Sequence, residues 1–265
     1  MAVWMDGWKS GHMAVMTAYF DASGSPSVEA VALGGLVTTP ERWLEFDHKW
    51  SECLSAFDVT ALHMKDFAHS LREFRGWDMD QPKRRRLLNG LLWVIEEMIE
   101  YTAASAVYID DYNSLDRDYK LSEAMRPYTM ASLSCAGHIV PWAKNHNVER
   151  IAWIFEKGDV DQDDLRKHWE TTYPELEVAP IFLKKRDRYP DPSQCRFIRA
   201  FEAADLLAYE NLQAHKLVMR NVDVEFGDLR KPMQRMISLP GFHDWGMFNS
   251  EDIRSVCEGW KIPTR

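Results

Sequence analysis

Apolar positions along this chain switch repeatedly between two periods. Residues 14–20 and 28–38 are apolar runs joined by Ser23-Gly24-Ser25-Pro26, a pattern that predicts a β-hairpin with a loop of four to five residues. Pro40 then opens ERWLEFDHKWSECLSAF, where Trp43, Phe46, Trp50, Cys53 and Leu54 recur at helical spacing. After ALHMKDF and a polar loop, Pro82 opens a second helix carrying Leu87, Leu88, Leu91, Leu92, Val94 and Ile95. TAASAVYI (102–109) reads as a strand. A helical region follows over about 120–145, limited or kinked by Pro127 and Pro141. ERIAWIF (149–155) is a short, continuously apolar strand. An acidic turn and a helix over about 161–171 come next, then the strand LEVAPIFL (176–183) and a strong helix over 194–217. The order β-β-α-α-β-α-β-α-β-α predicts an α/β fold, a mixed sheet with helices on both faces and helical insertions. One domain is expected over 14–217. The irregular section 218–265, with Trp245 and Trp260, is expected to be a C-terminal extension packing back on it.

Composition narrows the function class. With 265 residues, 46% of them hydrophobic, the chain can bury a sizeable core. No stretch approaches the run of about 18 to 20 apolar residues that spans a bilayer, so no membrane partner is expected. The first residues lack a secretory signal, and Gly11-His12-Met13 reads as a cloning remnant, which would put the natural start at Met13 or Met16. Cys53, Cys135, Cys195 and Cys257 lie far apart without a CxxC pair, as expected of free thiols in a reducing cytoplasm. The net charge of −9 argues against a protein that merely coats nucleic acid, but is compatible with a local basic groove around an acidic centre. Walker, GxGxxG, HExxH and GxSxG motifs are all absent.

Three acids stand in apolar places. Asp21 follows the run MTAYF, and Glu156 follows ERIAWIF, each at the predicted end of a strand, where α/β sheets build sites. Asp205 lies in FIRAFEAADLLAYENLQ, where 100° per residue sets it amid Ile198, Phe201, Ala208, Tyr209 and Leu212 on the apolar face. Such an aspartate either caps buried backbone or delivers a carboxylate to a site. Close carboxylates raise one another's pKa, and a divalent cation relieves that. Oxygen-only ligands suit Mg2+ or Mn2+, and two such ions about 4 Å apart serve phosphodiester cleavage.

FDASG, ALHMKDF, IFEKGD and AADLLAYE, in this order and spacing over about residues 14–217, resemble the domain of unknown function family 3800. That family is thought to have a ribonuclease H-like fold. The resemblance implies a metal-dependent nuclease in which Asp21 bridges the metal from the central first strand. Glu156 would come from a neighbouring strand end and Asp205 from the late helix. Glu202, one turn earlier, would assist, and His63 in ALHMKDF would contact substrate or shuttle a proton. Ala22 departs from the more usual DESG, where an acid is common. The other reading is a non-catalytic nucleic-acid- or protein-binding module of phage or mobile-element origin with the same fold.

Further candidates surround these. EKGDVDQDD imitates a calcium loop with Asp159, Asp161 and Asp163, but Asp164 stands where the sharp turn needs glycine. Its acids better suit the start of the following helix, with Asp159 retained as a fourth metal ligand. KRRR (83–86) opens a helix, where cations oppose the dipole, and so needs anions or an ion-paired face. KKRDRYPDPSQCRFIR supplies Lys184, Lys185, Arg186, Arg188, Arg196 and Arg199, which fit a DNA or RNA strand held by its phosphates. Tyr189, Phe197 and Trp169 are candidates either for base stacking or for the core.

Overall fold

Side chains alternate across a strand, so the first strand decides which face of the sheet each acid meets. In the computed structural model, residues 14–24, 29–158, 161–174, 176, 178–187, 196–220, 224–238 and 242–265 are described. The strands are β1 (Ala14–Gly24), β2 (Ala30–Thr38), β3 (Tyr101–Tyr108), β4 (Val148–Glu156), β5 (Ile181–Leu183), the two-residue β6 (Arg186–Asp187) and β7 (Arg196–Phe197), and β8 (Phe242–Phe248). The helices are α1 (Pro40–Ser55), α2 (Met64–Ala68), α3 (Gln81–Met98), α4 (Ile109–Asp118), α5 (Leu121–Ala124), α6 (Pro127–Asn145), α7 (Gln162–Thr172), α8 (Arg199–Arg220), α9 (Lys231–Ile237) and α10 (Ser250–Gly259).

Six strands form one sheet in the order β5-β4-β1-β2-β3-β8. β1, β2 and β3 pair antiparallel in succession, whereas β4 runs parallel to β1, β5 to β4 and β8 to β3. This is an α/β fold, a mixed sheet flanked by helices. Phe20, Trp153 and Phe155 face one side, where Phe20 stacks on Phe155 at 4.5 Å and Trp153 meets Trp169 of α7. Tyr19, Leu36 and Ile154 face the other, against Trp43, Phe46 and Trp50 of α1 and Phe201 of α8. Trp169 is 1% exposed and belongs to the core.

Local chemistry explains the helix starts. The Thr39 hydroxyl accepts from the Arg42 N–H ahead of Pro40, and the Asp80 carboxylate accepts from the Lys83 N–H ahead of Pro82. Two of the four cations that open α3 are placed against rings: Lys83 lies over Trp77 at 4.0 Å and Arg84 over Phe67 at 4.4 Å. Pro127 starts α6, and Pro141 is carried inside it.

Several boundaries differ from the sequence pattern: α8 starts at Arg199 rather than 194, because Arg196–Phe197 pairs as β7, and Ile109 opens the unexpected helix α4 instead of ending a strand. β1 does not stop before Asp21 but continues to Gly24, because β2 keeps pairing with it from Asp21↔Gly34 to Gly24↔Val31. Its other neighbour, β4, stops at Phe20↔Phe155, so Asp21 sits where one ladder ends and the other goes on. β5 is three residues long rather than spanning 176–183. The C-terminal section is more regular than expected. It adds β8 beside β3, and then α10, capped by Asn249 and Asp252 in a reciprocal pair. Among the described residues no helix is long and apolar enough to cross a membrane.

Candidate functional site

Period-two alternation puts Asp21 on the face of Tyr19 and Glu156 on the face of Ile154, which is the face covered by α8. Gly34, the register partner of Asp21, lets that helix come close. A Cβ built on Gly34 would lie 2.6 Å from the Ala208 nitrogen and 2.8 Å from the Ala204 oxygen. Asp205, one residue after Ala204, is thereby brought down beside Asp21.

The meeting point is a lysine. Lys185 Nζ donates to Asp21 Oδ2 at 3.0 Å and to Asp205 Oδ2 at 3.2 Å. The Lys185, Asp21 and Asp205 side chains are 17%, 4% and 9% exposed, so this ion cluster is largely out of water. The Glu156 side chain completes the group, hydrogen-bonding with Asp21 and acting on Lys185 through its charge. The three acids predicted from the sequence are therefore gathered at one place, with Lys185, expected to bind phosphate, among them.

The electrostatics follow from this crowding. Burial pushes the Asp21 carboxyl up, Lys185 pulls it down, and Asp205 and Glu156 push it up again; it stands well above the ordinary carboxylate range. Burial works against the Lys185 charge, but Asp205, Asp21 and Glu156 outweigh it and hold the ammonium above the usual lysine range. Three carboxyls thus share one ammonium, and with all three ionised they would carry more negative charge than one lysine neutralises.

The ALHMKDF segment is fastened to α8 through its backbone. The Leu62 N–H donates to Glu202 Oε2 at 2.9 Å and the Met64 N–H to Asp205 Oδ2 at 3.0 Å. The two acids are one helical turn apart and grip alternate N–H groups of an extended stretch. Asp205 therefore both caps buried backbone and faces the site. Glu202, a candidate ligand by its position, has both oxygens committed elsewhere: Oε2 also accepts from Trp50 Nε1 at 2.9 Å, and Oε1 from Arg199 Nη1 at 2.6 Å. His63 caps α2, is half-exposed, and has Nδ1 3.4 Å from Asp66 Oδ2.

The basic candidates divide. Lys184 is exposed, whereas Arg199 turns inward to Glu202, the Ser51 hydroxyl and the Thr60 carbonyl. Arg186 and Arg196 are described only as backbone of the β6–β7 pair. Arg188 and Asp159 lie outside the described residues, as does Tyr189. A feature not read from the sequence lies beyond Glu156: a cavity of about 840 Å³ lined by Lys157, Arg126, Arg166, Lys167, Phe182 and the acids Asp161, Asp163 and Asp164. Its cations come from three separate segments, so no run of charge announces them.

Ala22 packs against the Phe20 face of the sheet, opposite Asp21. An acid there would project away from Asp205. The Ala22 N–H meanwhile donates to Asp21 Oδ1 at 2.8 Å.

No protein-family model matches the chain, and no curated protein matches it. Among solved structures it is similar to the ribonuclease H2 from Pyrococcus horikoshii OT3. The identity is 13% and the TM-score 0.37, over 83% of this chain and 82% of that one. The strand order and pairing of this chain carry the fold by themselves.

Among the described residues no group of three or more acid, histidine or cysteine side chains forms a ready cage for a metal ion. The Lys185 ammonium stands between Asp21 and Asp205. The donor set nonetheless fits a hard cation: it is oxygen-only, Asp21 and Asp205 are buried, and three carboxyls share one ammonium.

Proposed function

We propose that this chain is a divalent-metal-dependent nuclease that cleaves phosphodiester bonds in DNA or RNA at a site with two cation positions. The motif order FDASG, ALHMKDF, IFEKGD and AADLLAYE supports placing it with the domain of unknown function family 3800. The observation that carries the reading is the convergence of Asp21, Glu156 and Asp205 around a buried cation. These carboxylates come from two neighbouring parallel strands and the helix that crosses them. In isolation a buried anionic cluster of this kind is costly, and a divalent cation offsets that cost.

Asp21, Glu156 and Asp205 would hold Mg2+ or Mn2+, which when bound activates water and stabilises the leaving oxygen. The chain's own residues do the rest. Met64 N–H and Ala22 N–H orient the Asp205 and Asp21 carboxylates, so their geometry is set before substrate arrives. Glu202 positions this arrangement by tying α8 to Trp50 and Leu62. His63, half-exposed at the start of α2, is placed to contact substrate or pass a proton to solvent. Lys184, exposed next to Lys185, would meet the phosphate backbone.

The test is incubation with single- and double-stranded DNA, RNA and DNA–RNA hybrids, in Mn2+ and in chelator. Metal-dependent cleavage of at least one substrate is expected. Binding without cleavage of any would leave a non-catalytic nucleic-acid-binding module.

A further inference from the structure

Lys185 is not a surface cation that happens to fold inward. Its backbone is pinned from both sides by the elements that carry the acids. β5 pairs with β4 at Glu156↔Leu183, and the Lys157 N–H donates to the Leu183 carbonyl at 2.6 Å. Two residues on, the Lys185 carbonyl accepts from the Ile198 N–H at 3.2 Å, immediately before α8 begins. The side chain then reaches Asp21 and Asp205 with one oxygen of each. Neither of these two hydrogen bonds uses the Glu156 carboxylate or Asp205 Oδ1.

We propose that the Lys185 ammonium fills one of the two cation positions, so that the site takes a single divalent ion. This rests on the metal-site reading above and refines it. Charge bookkeeping supports it: three carboxylates are balanced by one ammonium and one dication. A second dication would share the oxygens that Lys185 already binds and leave the group with excess positive charge, which a buried site disfavours. A fixed ammonium also supplies positive charge to a phosphate oxygen without having to be recruited from solution.

Isothermal titration of the full chain with Mn2+ at one pH tests this without any cleavage assay. The wild-type chain is expected to take one Mn2+. Lys185→Arg keeps the charge and should also take one. Lys185→Met removes the charge at similar length and should take two. Thermal melts establish that each variant is folded, and if Lys185→Met is not, the counts for wild type and Lys185→Arg decide. Two Mn2+ in the wild type, or an unchanged single Mn2+ in folded Lys185→Met, overturns the proposal. Asp21→Asn separates the two claims. It should weaken Mn2+ binding at least tenfold; uptake indifferent to Asp21 would sink the metal-site reading itself, and the lysine's role with it.

Discussion

Gly34→Ala is the sharpest mechanical test of how the fold builds this site. The added methyl would meet the Ala208 nitrogen at 2.6 Å, the Ala204 oxygen at 2.8 Å and Leu207 Cβ at 3.0 Å. Two of these atoms are helix backbone and cannot swing away. Restoring ordinary contact at about 3.5 Å requires α8 to lift by roughly 0.5 to 1 Å. The bonds that hold Asp205 to Met64 and Glu202 to Leu62, 3.0 and 2.9 Å long, would then stretch towards the limit of hydrogen bonding. Overpacking of this kind costs about 1–3 kcal/mol, or roughly 3 to 10 °C in melting temperature for a chain of this size. A displacement near 1 Å at the acids should lower a cleavage rate by about 100-fold. Gly35→Ala is the control, because its methyl would strike the Phe20 ring at 2.3 Å on the opposite face and leave α8 alone. Circular-dichroism melts and Mn2+-dependent cleavage at a temperature where both variants are folded give the comparison. Both should lose stability, and only Gly34→Ala should also lose the rate. A Gly34→Ala chain that melts and cleaves like wild type refutes the argument that this glycine sets the height of α8.

Two further outcomes follow from buried groups. Glu202→Ala leaves the Trp50 and Leu62 N–H groups without their acceptor and takes the carboxylate from Arg199, so it should destabilise the chain by about 3–5 kcal/mol in urea unfolding; Glu202→Gln should lose less and keep Mn2+ binding, and loss of binding there would return Glu202 to the metal. His215 is held down to about 3 by burial, so the unfolded chain takes up a proton below about pH 6.5 that the folded chain refuses, and stability is lost as pH falls from there. Glu210 acts oppositely: burial outweighs the pull of Arg230 and raises it to about 7, so the folded chain holds its proton from about pH 4.3 upward and stability is lost as pH rises through that window. His215→Leu should therefore make stability climb more steeply on acidification from pH 7 to 4.5, and an unchanged pH profile would contradict that balance.

Much of this arrangement is legible from patterning alone. Period two along MTAYF and ERIAWIF fixes the side of the sheet, and the helical wheel of α8 marks Asp205 as a polar residue on a buried face. The length of β1 is less legible, because strand pairing depends on the partner: β2 extends beyond Asp21 and β4 does not. Ala22 is ambiguous in one dimension and resolved in three, since the same alternation that aims Asp21 at α8 turns its neighbour to the other face. Lys185 could not be separated from its basic neighbours by composition, for burial depends on the β5 register and on the Ile198 contact. β8 (FHDWGMF) carries little alternation. Its place beside β3 is fixed by tertiary packing, with the Ser134 and Ser105 hydroxyls 3.3 and 3.4 Å from where a Cβ on Gly246 would stand.

The central claim is that Asp21, Glu156 and Asp205 act together on a phosphodiester through a bound divalent ion. The rate of Mn2+-dependent cleavage by Asp205→Asn, beside wild type and with melting temperatures matched, tests it most directly. Asparagine can still accept the Met64 N–H, so the fold should persist. Wild type should cleave in a manner that chelator abolishes, and the variant should be slower by roughly 100-fold or more. Cleavage by folded Asp205→Asn at the wild-type rate would contradict it.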